Sequence, residues 1–451
     1  MSALGEGRLG RVFVGMLKVA GTSSVIKVLA MMKGLVLAHQ FGVSVELDVF
    51  FIAYLLPSFL SDLFAGAIVI ALVPLYVQTH EKDGDDAAQT LIANILVITT
   101  IFSIAVAILA WILSPNLILM VAKSFPPEQL RLASSLFLFL IPTLPLSVIS
   151  AIFISVLTAQ KRLALATVAP GISIVVVTAA IYGFTGQWGI YSVAVGTTLG
   201  LVVQTLVLAL IWKRPNFRGL IIWKGLTATT RSFYRQIMIV AAGSFVINFI
   251  DMIDQYSAGT IGPGNLSALN YGNKFVIAVL GPASLAVSTA VLPHLSELVC
   301  ANDFAGARQI VKTYTMMILG ATIPLTILLM IWSPAIVRVL FERNAFTSYD
   351  TLIVTAVQRS FLLQIPLHVL GMLFVSLLWS LRANWVFLVI NPICLVLKIC
   401  LNAWLSTIYG VPGIGFATSI TYGVSCMLLL IAGTWLMRKE ERANNFVRPF
   451  E

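Results

Sequence analysis

The chain has 451 residues, of which 59% are apolar or aromatic and 10% charged, with a formal net charge of +10 and a mean hydropathy of +0.98. A soluble domain carries about half apolar and about 25% charged residues, so this composition excludes soluble, collagen-like and disordered classes, and it is too uniformly apolar for the alternating strands of a β-barrel. What remains is an all-α polytopic membrane protein, whose spans each need about 20 apolar residues.

Taken in chain order, residues 1–18 carry Arg8, Arg11 and Lys18 with no small-residue cleavage site before the next apolar run, the pattern of a cytoplasmic lead-in to a retained helix. Twelve spans follow, at roughly 19–41, 48–77, 88–113, 130–158, 164–184, 188–212, 237–261, 267–297, 310–333, 351–381, 384–407 and 413–437. They divide into a six-helix N-terminal bundle (1–212) and a six-helix C-terminal bundle (237–437). Between them, 213–236 is a basic connector with Trp223, Phe233 and Tyr234 that reads as lying on the cytoplasmic membrane surface. A cytoplasmic tail, 438–451, ends the chain. Of the 28 Lys and Arg, this topology puts nineteen on the side of the termini and only Lys123, Arg131, Arg338 and Arg343 on the other. That bias makes both termini cytoplasmic and accounts for the net charge without nucleic acid as a partner.

The halves repeat at an offset of about 220 residues. Phe41-Gly42 matches Ile261-Gly262, Leu72-Val73-Pro74-Leu75 matches Val291-Leu292-Pro293-His294, Ser114-Pro115 matches Ser333-Pro334, and Val25-Ile26-Lys27 matches Val246-Ile247-Asn248. Six spans per half is an even number, so the halves insert the same way round, as in parallel-repeat transporters, with a central cavity expected between them.

Several ionisable residues fall inside spans, where a charge costs at least about 2.5–3.5 kcal/mol. They are Lys27 and Lys33 in span 1, Asp62 in span 2, Asp251 and Asp254 in span 7, Lys274 in span 8, Arg359 in span 10 and Lys398 in span 11. Arg359 and Lys398 read as snorkelling or as members of structural ion pairs. Asp251 and Asp254, three apart, share a helix face, whereas Lys27 and Lys33, six apart, point about 120° from each other and line a broad wall. The repeat sets Lys27 opposite Asn248 and Lys33 opposite Asp254. A basic wall in the first half and an acidic one in the second suit an anionic phosphate ligand. The substrate-binding candidates are therefore Lys27, Lys33, Asn248 and Lys274, and the gating or ion-pairing candidates are Asp62, Asp251 and Asp254. Lys33 is expected to pair with Asp254 in the empty state, with Asp62 as its alternative partner.

Neither the histidines (His39, His80, His294, His368) nor the cysteines (Cys300, Cys394, Cys400, Cys426) show metal-ligand spacing. A nucleotide-binding motif is missing as well. No metal, cofactor or catalytic residue is implied.

Phe41-Gly42, Asp48-Val49-Phe50-Phe51-Ile52-Ala53, Pro57, Leu63-Phe64-Ala65-Gly66-Ala67 and Val73-Pro74 resemble the first-repeat signature of the MviN/MurJ flippases. Tyr271-Gly272-Asn273-Lys274, Leu280-Gly281 and Ser288-Thr289-Ala290-Val291-Leu292-Pro293 are similar to their second-repeat signature. Leu340-Phe341-Glu342-Arg343-Asn344-Ala345-Phe346-Thr347 with Asp350 resembles their outer segment before span 10. The chain reads as a short, twelve-span member. The resemblance implies the multidrug/oligosaccharidyl-lipid/polysaccharide exporter fold and transport of a polyprenyl-(pyro)phosphate-linked saccharide, such as a lipid II-like peptidoglycan precursor or another cell-envelope glycan precursor, across a bacterial inner membrane by alternating access. The family usually has arginine where this chain has Lys27, Lys33 and His39, a basic pair at Ser61-Asp62 and Asp-Arg at Asn273-Lys274. The partners implied are the anionic lipid-linked saccharide, membrane lipids and, as candidates, glycan-synthesis enzymes of the cell envelope, with the transporter itself a monomer. A cation-coupled multidrug antiporter is the alternative, but it calls for acids where span 1 has lysines. A membrane glycosyltransferase or ligase needs a sizeable outer loop with acid/base residues, and none is long enough.

Overall fold

The computed structural model describes residues 3–122, 125–212 and 228–447. Lys123, connector residues 213–227 and the last four residues of the tail lie outside the described residues. Among the described residues there are fourteen helices and no strand: α1 (Ala3–Phe41), α2 (Val45–Asp83), α3 (Asp85–Val121), α4 (Pro127–Leu140), α5 (Thr143–Ala159), α6 (Leu163–Trp188), α7 (Tyr191–Ile211), α8 (Ala228–Ile261), α9 (Asn265–Cys300), α10 (Phe304–Phe341), α11 (Ser348–Leu362), α12 (Gln364–Ser380), α13 (Trp385–Tyr409) and α14 (Val411–Val447). They make twelve segments long and apolar enough to cross a membrane, because α4 with α5, and α11 with α12, each form one span.

The two broken spans break for the same reason. A proline ring inside a helix collides with the carbonyl four residues back and removes a hydrogen bond. Pro145 acts in this way on Ile141, just after α4 ends, and Pro366 acts on Leu362, where α11 ends. Three helix starts are capped by side chains. The Ser44 hydroxyl accepts from the Leu47 N–H at 3.3 Å, Asp303 accepts from the Gly306 N–H at 2.8 Å, and Thr347 with Asp350 forms a reciprocal capping box.

The chain divides into two compact units, Met1–Met252 and Ile253–Glu451, so the division falls inside α8. Residues 228–236, which the sequence assigns to the connector, are the opening turns of that helix. Phe233 and Ile237 are buried among Ile68, Leu72, Ile92, Ile95, Val148 and Ile152 of α2, α3 and α5, and the Tyr234 and Thr99 hydroxyls lie 3.0 Å apart.

Each unit repeats the same pairings. In the first, α2 packs on α3, α4 and α5, α5 on α3 and α7, and α6 on α7. In the second, α9 packs on α10, α11 and α12, α12 on α10 and α14, and α13 on α14. The turns repeat as well. Gly42 (φ 56), Gly84 (φ 83), Lys161 (φ 62) and Gly189 (φ 52) are matched by Gly262 (φ 142), Asn302 (φ 57), Arg382 (φ 55) and Gly410 (φ 64). The α6–α7 contact is made close by Gly196 and Gly200, since a Cβ at Gly200 would stand 2.7 Å from the Ser173 carbonyl oxygen. Small residues four apart are how helices approach in lipid, where no hydrophobic drive pulls them together.

Gly410 has open space around its missing Cβ, so backbone strain alone is at stake there. Gly410→Ala should cost about 1–3 kcal/mol and lower the thermal unfolding midpoint of detergent-purified protein, whereas Lys161→Gly should raise or preserve it. An unchanged midpoint for Gly410→Ala would contradict the assigned turn geometry.

Candidate functional site: the charged groups within the spans

In the first unit, Ile26 and Leu29 of α1 flank Gly171 of α6, where an added Cβ would lie 3.7 and 3.5 Å from them. Lys33 is seven and four residues further on, so it shares that α6-facing side of α1 and is half-buried, while Lys27 is exposed. Asp62 of α2 is also exposed. Within this unit no ion pair joins Lys27, Lys33 and Asp62. One turn before Asp62, the Phe59 ring packs edge-on against Phe245 and Phe249 of α8, at 5.6 and 6.2 Å. Asn248 lies between those two phenylalanines in sequence and donates to its own helix, at the Ser244 carbonyl, over 2.9 Å. Asp251 follows on α8 and is exposed, and Lys274 of α9 is half-buried. A charge at this depth is tolerated only against water or polar groups, not acyl chains.

The second unit holds a different arrangement. Lys398 of α13 is 0% exposed and Asp254 of α8 is 8% exposed. The Lys398 ammonium donates to Asp254 Oδ1 at 2.9 Å and to the Thr418 hydroxyl of α14. Asn402, one turn beyond Lys398 on the same face, donates through Nδ2 to Asp254 Oδ1 at 2.8 Å and to the Ser257 hydroxyl at 3.3 Å. Three helices thus meet on one carboxylate. The sequence pairs Asp254 with Lys33 across the repeat; its partner here is Lys398, because α13 presents a lysine and an amide four residues apart towards it. Arg359 lies exposed on α11 and donates from Nε to the Met330 carbonyl at 3.1 Å.

Sequence reasoning placed Lys398 among structural charges but missed Asn402 and Thr418. The signal was present: a lysine and an asparagine at i, i+4 in an otherwise apolar span share one helix face.

After α10, Glu342 accepts from Thr351 at 2.7 Å and Ser348 at 3.2 Å and lies 3.5 Å from Arg338. The Thr351 hydroxyl first, then Ser348 and Arg338, hold its carboxyl below the usual carboxylate range. Tyr271, Phe341 and Phe346 stack beneath this corner at 5.3 to 5.8 Å.

The profile of the family described as lipid II flippase MurJ matches residues 37–446. The chain belongs to this family. Among its relatives, a protein of Borreliella burgdorferi named a probable lipid II flippase MurJ is 23% identical over 413 residues, covering 89% of this chain and 79% of that protein. A protein of Thermotoga maritima with the same name is 28% identical over 408 residues, covering 88% and 80%. Among solved structures, a lipid II flippase MurJ in an inward closed conformation superposes with a TM-score of 0.79 at 23% identity, over 94% of this chain and 89% of that one. An inward-facing multidrug resistance MATE family transporter of the MOP superfamily superposes at 0.73 with 14% identity, over 93% and 99%. At these identities the superpositions establish the fold. By family the protein is a multi-pass membrane transporter and not an enzyme.

Breaking a buried ion pair by removing one partner costs about 3–5 kcal/mol, because the other charge is left uncompensated. Lys398→Ala should therefore deplete the protein from the membrane. Exchanging Lys398→Asp with Asp254→Lys should recover its amount, whereas exchanging Lys33→Asp with Asp254→Lys should not. Quantitative blotting of membranes reads all three. Recovery by the Lys33 exchange would restore the cross-repeat pair.

Proposed function

We propose that the protein is a flippase that moves a polyprenyl-(pyro)phosphate-linked saccharide, a lipid II-like peptidoglycan precursor or a related cell-envelope glycan precursor, from the inner to the outer leaflet of the cytoplasmic membrane. The observation that carries this reading is the pair of lysines within the first span of a MurJ-family chain, Lys27 exposed and Lys33 half-buried. A lysine ammonium is a compact charge on a flexible stem that suits a phosphate oxygen without demanding the planar fork of arginine. Lys274 of span 8 adds a third basic group, and Asn248, which the repeat relates to Lys27, a neutral polar one. In this reading Asp62 and Asp251 balance the lysines when no headgroup is bound. Lysines rather than acids on the first span disfavour a cation-coupled drug antiporter.

Both termini face the cytoplasm in this reading, following the bias of basic residues. Moving a net negative headgroup outward runs with an inside-negative potential, worth about 2.3 kcal/mol per charge per 100 mV. The same field draws the empty lysine-lined site back towards the cytoplasm. The potential can therefore reset the cycle without ATP at the transporter.

In proteoliposomes carrying a fluorescent polyprenyl-pyrophosphate disaccharide, Lys27→Ala, Lys33→Ala and Lys274→Ala should each lower translocation at least tenfold while the protein stays in the membrane. Full activity in all three would remove the headgroup-binding role. Collapsing the potential with valinomycin in symmetric potassium should slow the parent protein strongly. Equal rates with and without a potential would contradict the charge-driven cycle.

A further inference from the structure

We propose that the face of the second unit around Arg359 is a docking site for a transmembrane helix of another membrane protein, one that carries an aspartate or glutamate at the level of this arginine.

Arg359 stands on α11 at a depth where a charge is costly. It lies eight residues, about 12 Å, further along the helix than Thr351, which bonds to Glu342 at the turn between α10 and α11. A basic side chain in such a place ordinarily stretches its head towards the membrane face. Here the head is tethered. Pro334 has no N–H, so the Met330 carbonyl four residues before it lacks its helical donor, and Arg359 Nε supplies one at 3.1 Å. That bond uses one N–H of the guanidinium. Among the described residues nothing accepts from Nη1 or Nη2, and the side chain is exposed.

The first unit shows that such a kink needs no arginine. Pro115 likewise strips the Trp111 carbonyl of its donor, and the Ser114 hydroxyl supplies one at 2.7 Å. Ser333, the counterpart of Ser114, donates instead to Gln358 Oε1 at 2.5 Å. Thr198 donates to the Phe139 carbonyl at 2.5 Å as Ser419 does to the Ser360 carbonyl at 2.9 Å. That match aligns Gln358 and Arg359 with Phe137 and Leu138. Leu138 is 52% exposed, as a lipid-facing leucine is. The charge at Arg359 is thus an addition of the second unit, at a position where the fold accepts leucine.

The neighbours fix which way it faces. Val357 meets Gly272 of α9, where an added Cβ would stand 2.6 Å from Val357 Cγ1, and Ser360 meets Gly415 of α14. Two residues beyond Val357, Arg359 points about 160° from it, away from α9 and into the gap between α10 and α14. Tyr349, Leu352, Ala356 and Leu363 share this side of α11 and are exposed. Trp332 on α10 and Ile420 on α14 flank it, also exposed. The result is an apolar helix face with one fixed guanidinium on it, and small Ala356 beside the charge lets another backbone come close.

The chemistry selects the partner. A planar fork of N–H donors matches a carboxylate or a phosphate. Lipid phosphates lie at the membrane face, and the bond to Met330 holds the guanidinium away from them. A carboxylate on a membrane-spanning helix arrives at the right depth, and each charge then relieves the cost of the other in hydrocarbon.

The experiment uses the full-length protein with the photocrosslinking residue benzoylphenylalanine in place of Leu352. In phosphatidylcholine vesicles it meets synthetic Leu/Ala helices of about 24 residues, with either a single aspartate or a leucine at the middle, so that both insertion directions present it. The aspartate helix should crosslink at about tenfold lower peptide density than the leucine helix. Arg359→Gln, which keeps a donor for Met330, and Arg359→Leu, which reproduces the first unit, should both erase that difference while the protein stays in the membrane. Adding phosphatidylglycerol should leave it unchanged. In native membranes the same residue should yield an adduct whose crosslinked segment, sequenced by mass spectrometry, is a span containing Asp or Glu, and Arg359→Gln should remove that adduct. The proposal is overturned if the two helices crosslink equally, if either variant keeps the difference, or if phosphatidylglycerol displaces the aspartate helix, which makes the occupant a lipid headgroup. It is equally overturned if native membranes give no adduct, an adduct between two copies of this chain, or one with a span that lacks a carboxylate.

Discussion

No water is available within the hydrocarbon of a bilayer, so every backbone group and every charge placed there must be satisfied by the protein or by a polar lumen it encloses. The rest of this structure follows from that constraint. It requires continuous helices, and it confines helix breaks to places where prolines act in matched positions, at the α4–α5 and α11–α12 junctions. It also makes each charge inside a span a statement about function or about a partner.

The two units answer the constraint differently although they share one plan. Aligning Pro170 of α6 with Pro392 of α13 puts Val176 where α13 has Lys398, and Ala180 where it has Asn402. In the first unit the α6–α7 packing is instead closed by Gly196 and Gly200. Lys33, at the position the repeat relates to Asp254, therefore meets no built-in acid from α6. The acidic member of the repeat is paired inside its own unit, whereas α6 offers the basic member no carboxylate.

Much of this was legible in the sequence. Span number, the repeat and the special residues followed from hydropathy, the Pro74/Pro293 and Ser114-Pro115/Ser333-Pro334 matches, and glycines such as Gly42 and Gly262, because lipid imposes length and backbone rules that act on one segment at a time. The start of α8 was not legible: Arg231 and Arg235 suggest a surface connector, yet Phe233 between them is buried among α2, α3 and α5. The partner of Asp254 was not legible either. Equal depth across the repeat favoured Lys33, but which lysine reaches a carboxylate depends on how α13 is rotated about its axis, and that is set by packing against α14 rather than by periodicity.

The account rests on an anionic linkage being the feature that the lysines of the first unit recognise. The most direct measurement compares translocation, in proteoliposomes at a fixed inside-negative potential, of two fluorescent lipid-linked disaccharides with the same polyprenyl chain and sugar. One carries a pyrophosphate linkage and the other an uncharged ether. The account predicts that only the pyrophosphate compound crosses at a rate above protein-free vesicles. Equal rates for the two compounds would contradict it.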